Sequence, residues 1–181
     1  LDWSTGARAL DGILQSWSLG DDAALHAFVF QWAEDAPYAL LNPATETNND
    51  AYFAGLYYAN KFGENAHGEF YLMQLQADDG ATAPGSTNIS TFGTRWDVNA
   101  TEQLTFNGEA AIQFGESGGV DIADAYALAV NGTWHFGGDM NTRLSAGIDM
   151  GTGDDPTTTD NERFNNLLPT AHKHWGMMDL A

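Results

Sequence analysis

The sequence predicts an all-β protein, a transmembrane antiparallel up-and-down β-barrel, from three observations. Apolar and polar residues alternate with a period of two over many stretches, which is typical of strands that bury one face. The connections between these stretches alternate between short turns and long polar segments, as at the two ends of an outer-membrane barrel. No apolar run approaches the roughly 20 residues that a membrane helix needs, so strands are the predicted way for this chain to cross a membrane.

Alternation is clearest in the second half of the chain. Around residues 106–114, Phe106 and Ile112 share an apolar face while Glu109 and Gln113 share the polar one. The stretches 122–136 and 143–150 alternate in the same way. Eight strands are predicted, near 8–19, 24–34, 51–62, 67–76, 90–98, 104–115, 121–136 and 142–150.

Two points of the strand assignment stay open. Trp175 is a candidate start for a ninth strand. The facing of the strand at 67–76 is ambiguous, because Phe70 and Leu72 compete with the alternate set that contains Tyr71 and Leu75.

The predicted connections fall into two classes that alternate along the chain. Short turns, which an outer-membrane barrel places on the periplasmic side, are predicted near 20–23, 63–66, 99–102 and 137–140. Long external loops are predicted near 35–50, 77–88, 115–119 and 151–173. The whole chain, residues 1–181, is therefore interpreted as one β-barrel domain.

The composition excludes one class of partner. The chain carries six Lys and Arg against 25 Asp and Glu, a formal net charge of −19, whereas nucleic-acid binding needs basic residues that neutralise phosphates.

There is no cysteine, so disulfides and Cys-ligated metals are excluded. Aromatic residues make up 12% of the chain, unlike acidic disordered sequences. We expect a folded acidic protein without a cofactor.

Aromatic residues support a membrane barrel over its main alternative. Trp17, Trp96, Trp134 and Phe136 fall close to the predicted short turns, and aromatic residues are enriched at membrane–water interfaces. In a soluble β-sandwich or a lipocalin-like barrel, the alternative that the pattern leaves open, these side chains would fill a core.

One segment resembles a known family. Residues 164–179 read FNNLLPTAHKHWGMMD, which is similar to a signature of the alginate-export family of outer-membrane β-barrels. That signature contains Phe, Leu-Phe-Pro-Thr, His, an aromatic residue, Gly and a final Met-Asp. The acidic turn at 151–156, the strand pair at 93–97 and 107–115, and the segment 10–21 are similar to the family as well.

The resemblance covers most of the chain and has three implications. It implies the outer membrane of a Gram-negative bacterium, and a larger barrel of about 18 strands, of which this chain would hold eight or nine. It also implies passive export of an anionic polysaccharide through an arginine-lined lumen. Because this chain would hold only eight or nine of the roughly 18 strands, we expect it to be part of a longer protein.

In one respect the sequence departs from that pattern. Arg163 and Lys173 lie in a predicted loop, so few basic residues are left for the lumen. Those few are Arg8, Lys61, Arg95 and Arg143. Because the sign of the lining charges sets the selectivity of a pore, acidic residues would repel a polyuronate. A porin for passive diffusion of small solutes or ions, not anion-selective, is therefore predicted first, and export of an alginate-like polysaccharide second.

Six polar residues fall on the lumenal side of predicted strands, and we predict that they line the pore. They are Arg95, Asp97, Glu109, Gln113, Arg143 and Asp149. Their alternative role is to form ion pairs that hold the wall together. A position facing lipid is disfavoured, because Arg or Lys at the bilayer midplane costs about 2–4 kcal/mol.

The long segment 151–173 carries two candidate features. An acidic group offers weak candidate Ca²⁺ ligands, although its spacing matches no EF-hand and a solvated external loop is the simpler interpretation. This group is Asp154, Asp155, Asp160 and Glu162. An apolar run in a long loop suggests packing against the barrel wall, so we predict an inward-folded constriction loop. Its residues are Phe164, Leu167, Leu168, Pro169 and His172.

No enzyme is predicted, because no Ser/His/acid group can be assembled at one rim. A plugged structural or adhesive barrel that presents its loops to a partner is the third possibility. The expected partners are outer-membrane lipid, small solutes or ions, and lipopolysaccharide bridged by divalent cations to acidic loops. The oligomeric state is left open.

Overall fold

The computed structural model describes residues 10–32, 51–77, 86–138 and 140–167. In these ranges the chain forms one eight-stranded antiparallel sheet in which the spatial order of the strands equals their order in sequence. The strands are β1 (Leu10–Ser18), β2 (Ala23–Trp32), β3 (Ala51–Phe62), β4 (Ala66–Ala77), β5 (Thr87–Asn99), β6 (Leu104–Ser117), β7 (Val120–Gly137) and β8 (Thr142–Gly151). The described residues contain no helix long and apolar enough to cross a membrane.

The predicted all-β, up-and-down antiparallel architecture is confirmed. β1 and β8 lie at the two ends of the strand order and do not pair with each other, so the sheet is open, as expected for part of a barrel. The strands begin and end within three residues of their predicted bounds. The candidate ninth strand at Trp175 lies outside the described residues.

The connections at one edge of the sheet are short. They comprise residues 19–22, 63–65, 100–103 and 138–141, each within one residue of a predicted turn. We call this edge the turn end and the opposite edge the loop end. The predicted long segments 35–50 and 77–88 join strands at the loop end, and most of their residues lie outside the described ranges.

The connection predicted as a long loop at 115–119 is shorter in the structure. β6 continues to Ser117 and β7 starts at Val120, which leaves Gly118 and Gly119 as a two-residue turn. Both glycines have positive φ, 62° and 80°, as the tight hairpin turns with the right-handed twist of strands require. The prediction was wrong here because polar residues such as Glu116 and Ser117 were interpreted as loop, although they extend the ladder.

Alternate residues of each strand point to opposite faces, and cross-strand partners share a face. We call the face that carries Glu69, Arg95 and Glu109 the inner face, and the opposite face the outer face. The register resolves the ambiguous strand β4, because Tyr71 pairs with Tyr57 and Gly93, so Tyr71 and Leu75 lie on the inner face. Phe70 and Leu72 lie on the outer face.

The outer face carries an apolar surface that crosses several strands. One cross-strand row consists of Leu56, Leu72, Phe92, Ile112 and Tyr126 in direct register, and these side chains are 45–53% exposed. An apolar surface that extends across five strands is far larger than the isolated exposed apolar residues of soluble proteins. Lipid chains are the environment in which such a surface is stable.

Aromatic side chains border the outer face at the turn end. Trp96 packs against Phe62 with ring centroids 5.1 Å apart and edge-on against Phe70 at 5.7 Å. Its indole Nε1 donates a hydrogen bond to Thr94 Oγ1 over 2.8 Å. Trp17 and Trp134 lie on the same face near their own turns. This placement suits rings that have one apolar and one polar side.

Candidate functional site

Charged residues form a row across the inner face. Glu69 on β4 lies opposite Arg95 on β5, and Arg95 lies opposite Glu109 on β6. The register then continues through Ala129 on β7 to Asp149 on β8. We call its four charged members, Glu69, Arg95, Glu109 and Asp149, the charged row. Their adjacency follows from strand register alone, since partners on one face of an antiparallel pair lie about 5 Å apart.

A second polar row lies one step closer to the turn end. It consists of Lys61, His67, Asp97, Asn107 and Asn131, again in direct register. One ion pair joins the two rows, between Arg95 Nη2 and Asp97 Oδ2 at 3.4 Å, with both side chains 44% exposed. His67 Nδ1 lies 3.6 Å from Glu69 Oε1. An ion pair as exposed as Arg95–Asp97 contributes little to stability, about 0–1 kcal/mol.

Two tyrosines on the loop side of the charged row hold its glutamates. The Tyr71 hydroxyl donates a hydrogen bond to Glu109 Oε1 over 2.7 Å, and the Tyr57 hydroxyl donates one to Glu69 Oε2. The two rings are nearly parallel, with centroids 5.8 Å apart. Charge-assisted hydrogen bonds of this kind are stronger than neutral ones, so both carboxylates are held in place.

Gly93 is the residue that lets Tyr71 reach Glu109. The Tyr71 ring crosses β5 directly above Gly93, where an added Cβ would meet the ring carbon Cζ at 2.2 Å. Any larger residue would occupy the space of the ring. The ring therefore covers the bare backbone of β5 and connects β4 to β6 through a side chain.

Arg143 and Asp149 lie on β8, at the edge of the sheet. Their cross-strand partners on β7 are His135 and Ala129, and both residues are exposed. Neither makes an ion pair with another described residue. All six residues predicted to line a pore thus lie on the inner face, and Arg95 and Asp97 form the kind of wall ion pair that was the alternative. That they line a pore stays a prediction.

Residues 161–167 fold onto the inner face, and we call them the inward segment. The Gln113 side chain clamps this segment, because its Nε2 donates to the carbonyl oxygen of Asn165 and its Oε1 accepts from the Asn165 N–H, both over 2.7 Å. Asn161 forms a parallel bridge with Ile122, and its N–H donates to the Asp121 carbonyl oxygen over 2.8 Å. The segment is therefore anchored at two places.

An apolar cluster lies beneath the inward segment at the loop end. Its buried members are Leu75, Ile89, Ile122 and Ala125, with Phe53 and Leu167 packed against them. A register shift between β6 and β7 past Gln113 allows both Ile122 and Ala125 to face inward. The inner face is thus apolar and covered at the loop end, and polar towards the turn end.

The structure locates part of the predicted constriction loop. Leu167 contacts the apolar cluster, and the Phe164 N–H donates to the Thr152 carbonyl oxygen over 3.0 Å. Leu168, Pro169 and His172 lie outside the described residues, as does Arg8. The segment that precedes Asn165 is held to the wall by its backbone, which the sequence pattern did not indicate.

The weak Ca²⁺ candidates in the segment 154–162 do not assemble into a site. Among the described residues, no group of three His, Asp or Glu side chains could hold a metal ion. Asp155 Oδ1 instead accepts hydrogen bonds from the Thr157 N–H at 2.9 Å and the Thr157 hydroxyl at 2.7 Å. Glu162 accepts from the Asp155 N–H and the Thr158 hydroxyl.

These hydrogen bonds also change the acidity of the two carboxyl groups. Thr157 lowers the pKa of Asp155 below its usual value, and Thr158 followed by the Asp155 N–H lowers the pKa of Glu162. Donors that favour the ionised form always act in this direction. The two carboxylates therefore stabilise a local turn through these hydrogen bonds.

Three residues of the inner face were missed by the sequence analysis. Glu69 and Tyr71 were not assigned because the facing of their strand was ambiguous, and Tyr57 was not considered as a partner for either. The alternation of Tyr57 with Lys61 on the polar side of β3 was a usable signal, since it places Tyr57 on the lumenal parity. Pairing β4 with β3 in register would then have placed Glu69 and Tyr71 on the same face.

The comparison with known proteins agrees with this architecture. No curated protein and no solved structure matches the chain. A family model described as Alginate export matches residues 1–181, the full length of the sequence. With an open up-and-down sheet of eight antiparallel strands and a match over every residue, this chain belongs to the alginate export family.

Proposed function

We propose that this chain forms part of the wall of an outer-membrane channel that exports an anionic polysaccharide. The observation that carries the proposal is the two-sided sheet of a chain in the alginate export family. Its outer face is apolar across at least five strands, and its inner face carries the charged row. A polymer of sugar acids needs a hydrated, charged path, and an apolar outer face keeps that path inside a bilayer.

Proteins of the alginate export family are outer-membrane β-barrels of Gram-negative bacteria, and we assign this chain to the same compartment. The placement of outer-face charges supports this. On the described strands, charged residues of the outer face are restricted to Asp11, Glu116 and Asp121, all at the loop end. At that end they would meet lipid headgroups or lipopolysaccharide instead of acyl chains.

The inward segment supports a constriction of the channel. Leu167 and the Gln113–Asn165 clamp hold it against the inner face at the loop end, whereas no described residue outside the strands and their turns covers the inner face at the turn end. We propose that the lumen is narrowest at the loop end, on the external side, and wider towards the periplasm. No catalytic step is part of this function, because transport through such a channel follows the gradient of the solute.

A second candidate function is passive diffusion of small solutes without anion selectivity. The observation that favours it is the balance of charge on the inner face of the described strands. Outside the register shift that includes Asp124, three basic residues, Lys61, Arg95 and Arg143, accompany four acidic ones, Glu69, Asp97, Glu109 and Asp149. A wall with nearly equal numbers of both signs does not by itself select anions.

Conductance of the full-length protein in a planar bilayer separates these functions. We expect steady conductance that short oligouronates interrupt, whereas neutral oligosaccharides of the same length pass without comparable interruptions. Conductance that prefers cations and is insensitive to oligouronates would favour the small-solute porin instead. No conductance at all would contradict both channels and favour a plugged barrel that acts through its loops.

A further inference from the structure

Arg95 occupies an unusual position in the charged row. It lies in direct register between two glutamates, Glu69 on β4 and Glu109 on β6, and either could neutralise it. Yet its ion pair among the described residues is with Asp97 on its own strand, at 3.4 Å and with both side chains 44% exposed. The guanidinium has five N–H donors, and one such contact leaves most of them available.

The two glutamates are engaged elsewhere. Tyr71 donates to Glu109 over 2.7 Å and Tyr57 donates to Glu69, so each carboxylate has a hydrogen-bond donor that competes with Arg95. Glu69 also lies 3.6 Å from His67 Nδ1. The tyrosine hydroxyl groups are already fixed, whereas a pair with Arg95 would restrict the flexible arginine side chain. The smaller loss of side-chain entropy therefore favours the bond between each glutamate and its tyrosine.

The tyrosines themselves are held firmly. Tyr71 is 8% exposed and its ring lies above Gly93, where no side chain competes for space. Tyr57 stacks against Tyr71 with ring planes 5° apart. Their hydroxyl groups are therefore at set positions before any solute arrives, which is the condition for preorganised recognition.

We propose that Tyr57 and Tyr71 are specificity-determining residues of the channel wall, which hold Glu69 and Glu109 so that the Arg95 guanidinium remains open to an anionic group of the passing solute. The chemical class is a carboxylate of a sugar acid, which a guanidinium binds through paired N–H donors. This inference rests on the proposed channel function. It adds that two uncharged groups, the Tyr57 and Tyr71 hydroxyls, determine whether the positive charge of Arg95 is open to the solute.

A purely structural role of the tyrosine hydroxyl groups would leave anion permeation unchanged, whereas the proposed role makes permeation depend on them. Replacing either tyrosine with phenylalanine keeps the ring and its packing and removes only the hydroxyl. The released glutamate can then turn to Arg95, its register partner, and the wall loses an open cation without any change in formal charge. Permeation of anions should fall although the barrel remains folded.

The test uses the full-length protein in planar bilayers with a potassium chloride gradient. We expect Tyr71→Phe and Tyr57→Phe each to lower the chloride-to-potassium permeability ratio, and the double variant to lower it by roughly two- to five-fold, the range for one partly exposed ionic contact. Residence of short oligouronates in the lumen should shorten in parallel. Tyr126→Phe, which removes a hydroxyl from the outer face, is the matched control and should change neither quantity.

The Tyr71→Phe substitution in a Glu109→Gln protein tests whether Tyr71 acts through Glu109. In a Glu109→Gln protein there is no carboxylate for Tyr71 to hold, so adding Tyr71→Phe should leave the permeability ratio unchanged. An equal effect of Tyr71→Phe in both backgrounds would overturn the proposal, as would an unchanged ratio in the double tyrosine variant. If oligouronates fail to interrupt the wild-type current, polysaccharide export is contradicted, and the permeability ratios still decide the role of the tyrosines.

Discussion

The side-chain amide of Gln113 and the backbone of Asn165 bind each other at both polar ends of the amide. Nε2 donates to the Asn165 carbonyl oxygen and Oε1 accepts from the Asn165 N–H, each over 2.7 Å. Gln113 is 4% exposed, and it also donates to Thr91 Oγ1 over 3.0 Å. In this geometry the glutamine side chain takes the place of a neighbouring strand for one residue, and so holds the inward segment against the inner face.

Replacement of Gln113 with alanine should release the inward segment. Two hydrogen bonds to the Asn165 backbone are lost, at a cost of about 1–3 kcal/mol of unfolding free energy. We expect higher single-channel conductance and more frequent fluctuations between levels. Gln74→Ala removes an amide from the outer face and serves as the control. Unchanged conductance of Gln113→Ala would mean that the segment does not narrow the lumen.

Replacement of Leu128 with arginine tests whether the outer face contacts lipid. Leu128 lies near the middle of β7 on the outer face, and a charge at the bilayer midplane costs about 2–4 kcal/mol. The matched control is Ala129→Arg, one residue later on the inner face, where the new cation would lie between Glu109 and Asp149 in register.

Urea unfolding from lipid vesicles measures both variants. We expect a large loss of stability for Leu128→Arg and a small change for Ala129→Arg. On a water-facing surface an arginine at the 39% exposed position of Leu128 would cost little. Equal stability of the two variants would therefore contradict a membrane-facing outer surface.

Replacement of Gly93 with alanine should act through Tyr71. The new methyl group would meet the Tyr71 ring at 2.2 Å, so the ring must leave its place and the hydrogen bond to Glu109 breaks. We expect the same fall in anion permeability as for Tyr71→Phe, measured by reversal potential. Gly153→Ala is the control, because a Cβ there meets nothing within 4 Å. Normal selectivity of Gly93→Ala would contradict a role of the Tyr71–Glu109 hydrogen bond in selectivity.

The turn around Asp155 should depend on acidity in a defined direction. The folded pKa values of Asp155 and Glu162 lie below their ordinary values of 3.8 and 4.5, so the turn is stabilised above these values. That stabilisation is lost as the pH falls through the lowered folded pKa of each group. A carboxyl NMR titration should find both depressed, and Thr157→Val should return Asp155 towards its ordinary pKa while Glu162 stays low.

Much of the fold could be predicted because alternation is a local property. The faces of β6 and β8 follow from residue parity, as for Glu109 and Asp149. Residue parity could not assign the faces of β4, because both of its faces carry large apolar or aromatic side chains. The two-residue turn at Gly118 was missed because polar residues at strand ends resemble a loop.

The sequence by itself determined the eight strands, the assignment of most residues to one of two faces, and the scarcity of basic residues that could line a lumen. These features depend on the chemical character of residues and on their spacing along one strand, with side chains that alternate at a period of two. Only the tertiary structure decided that Arg95 lies between Glu69 and Glu109, that two tyrosines hold those glutamates, and that Gln113 clamps Asn165. Each of these contacts joins residues of different strands or a distant segment, and the register that brings them together is set by the whole sheet.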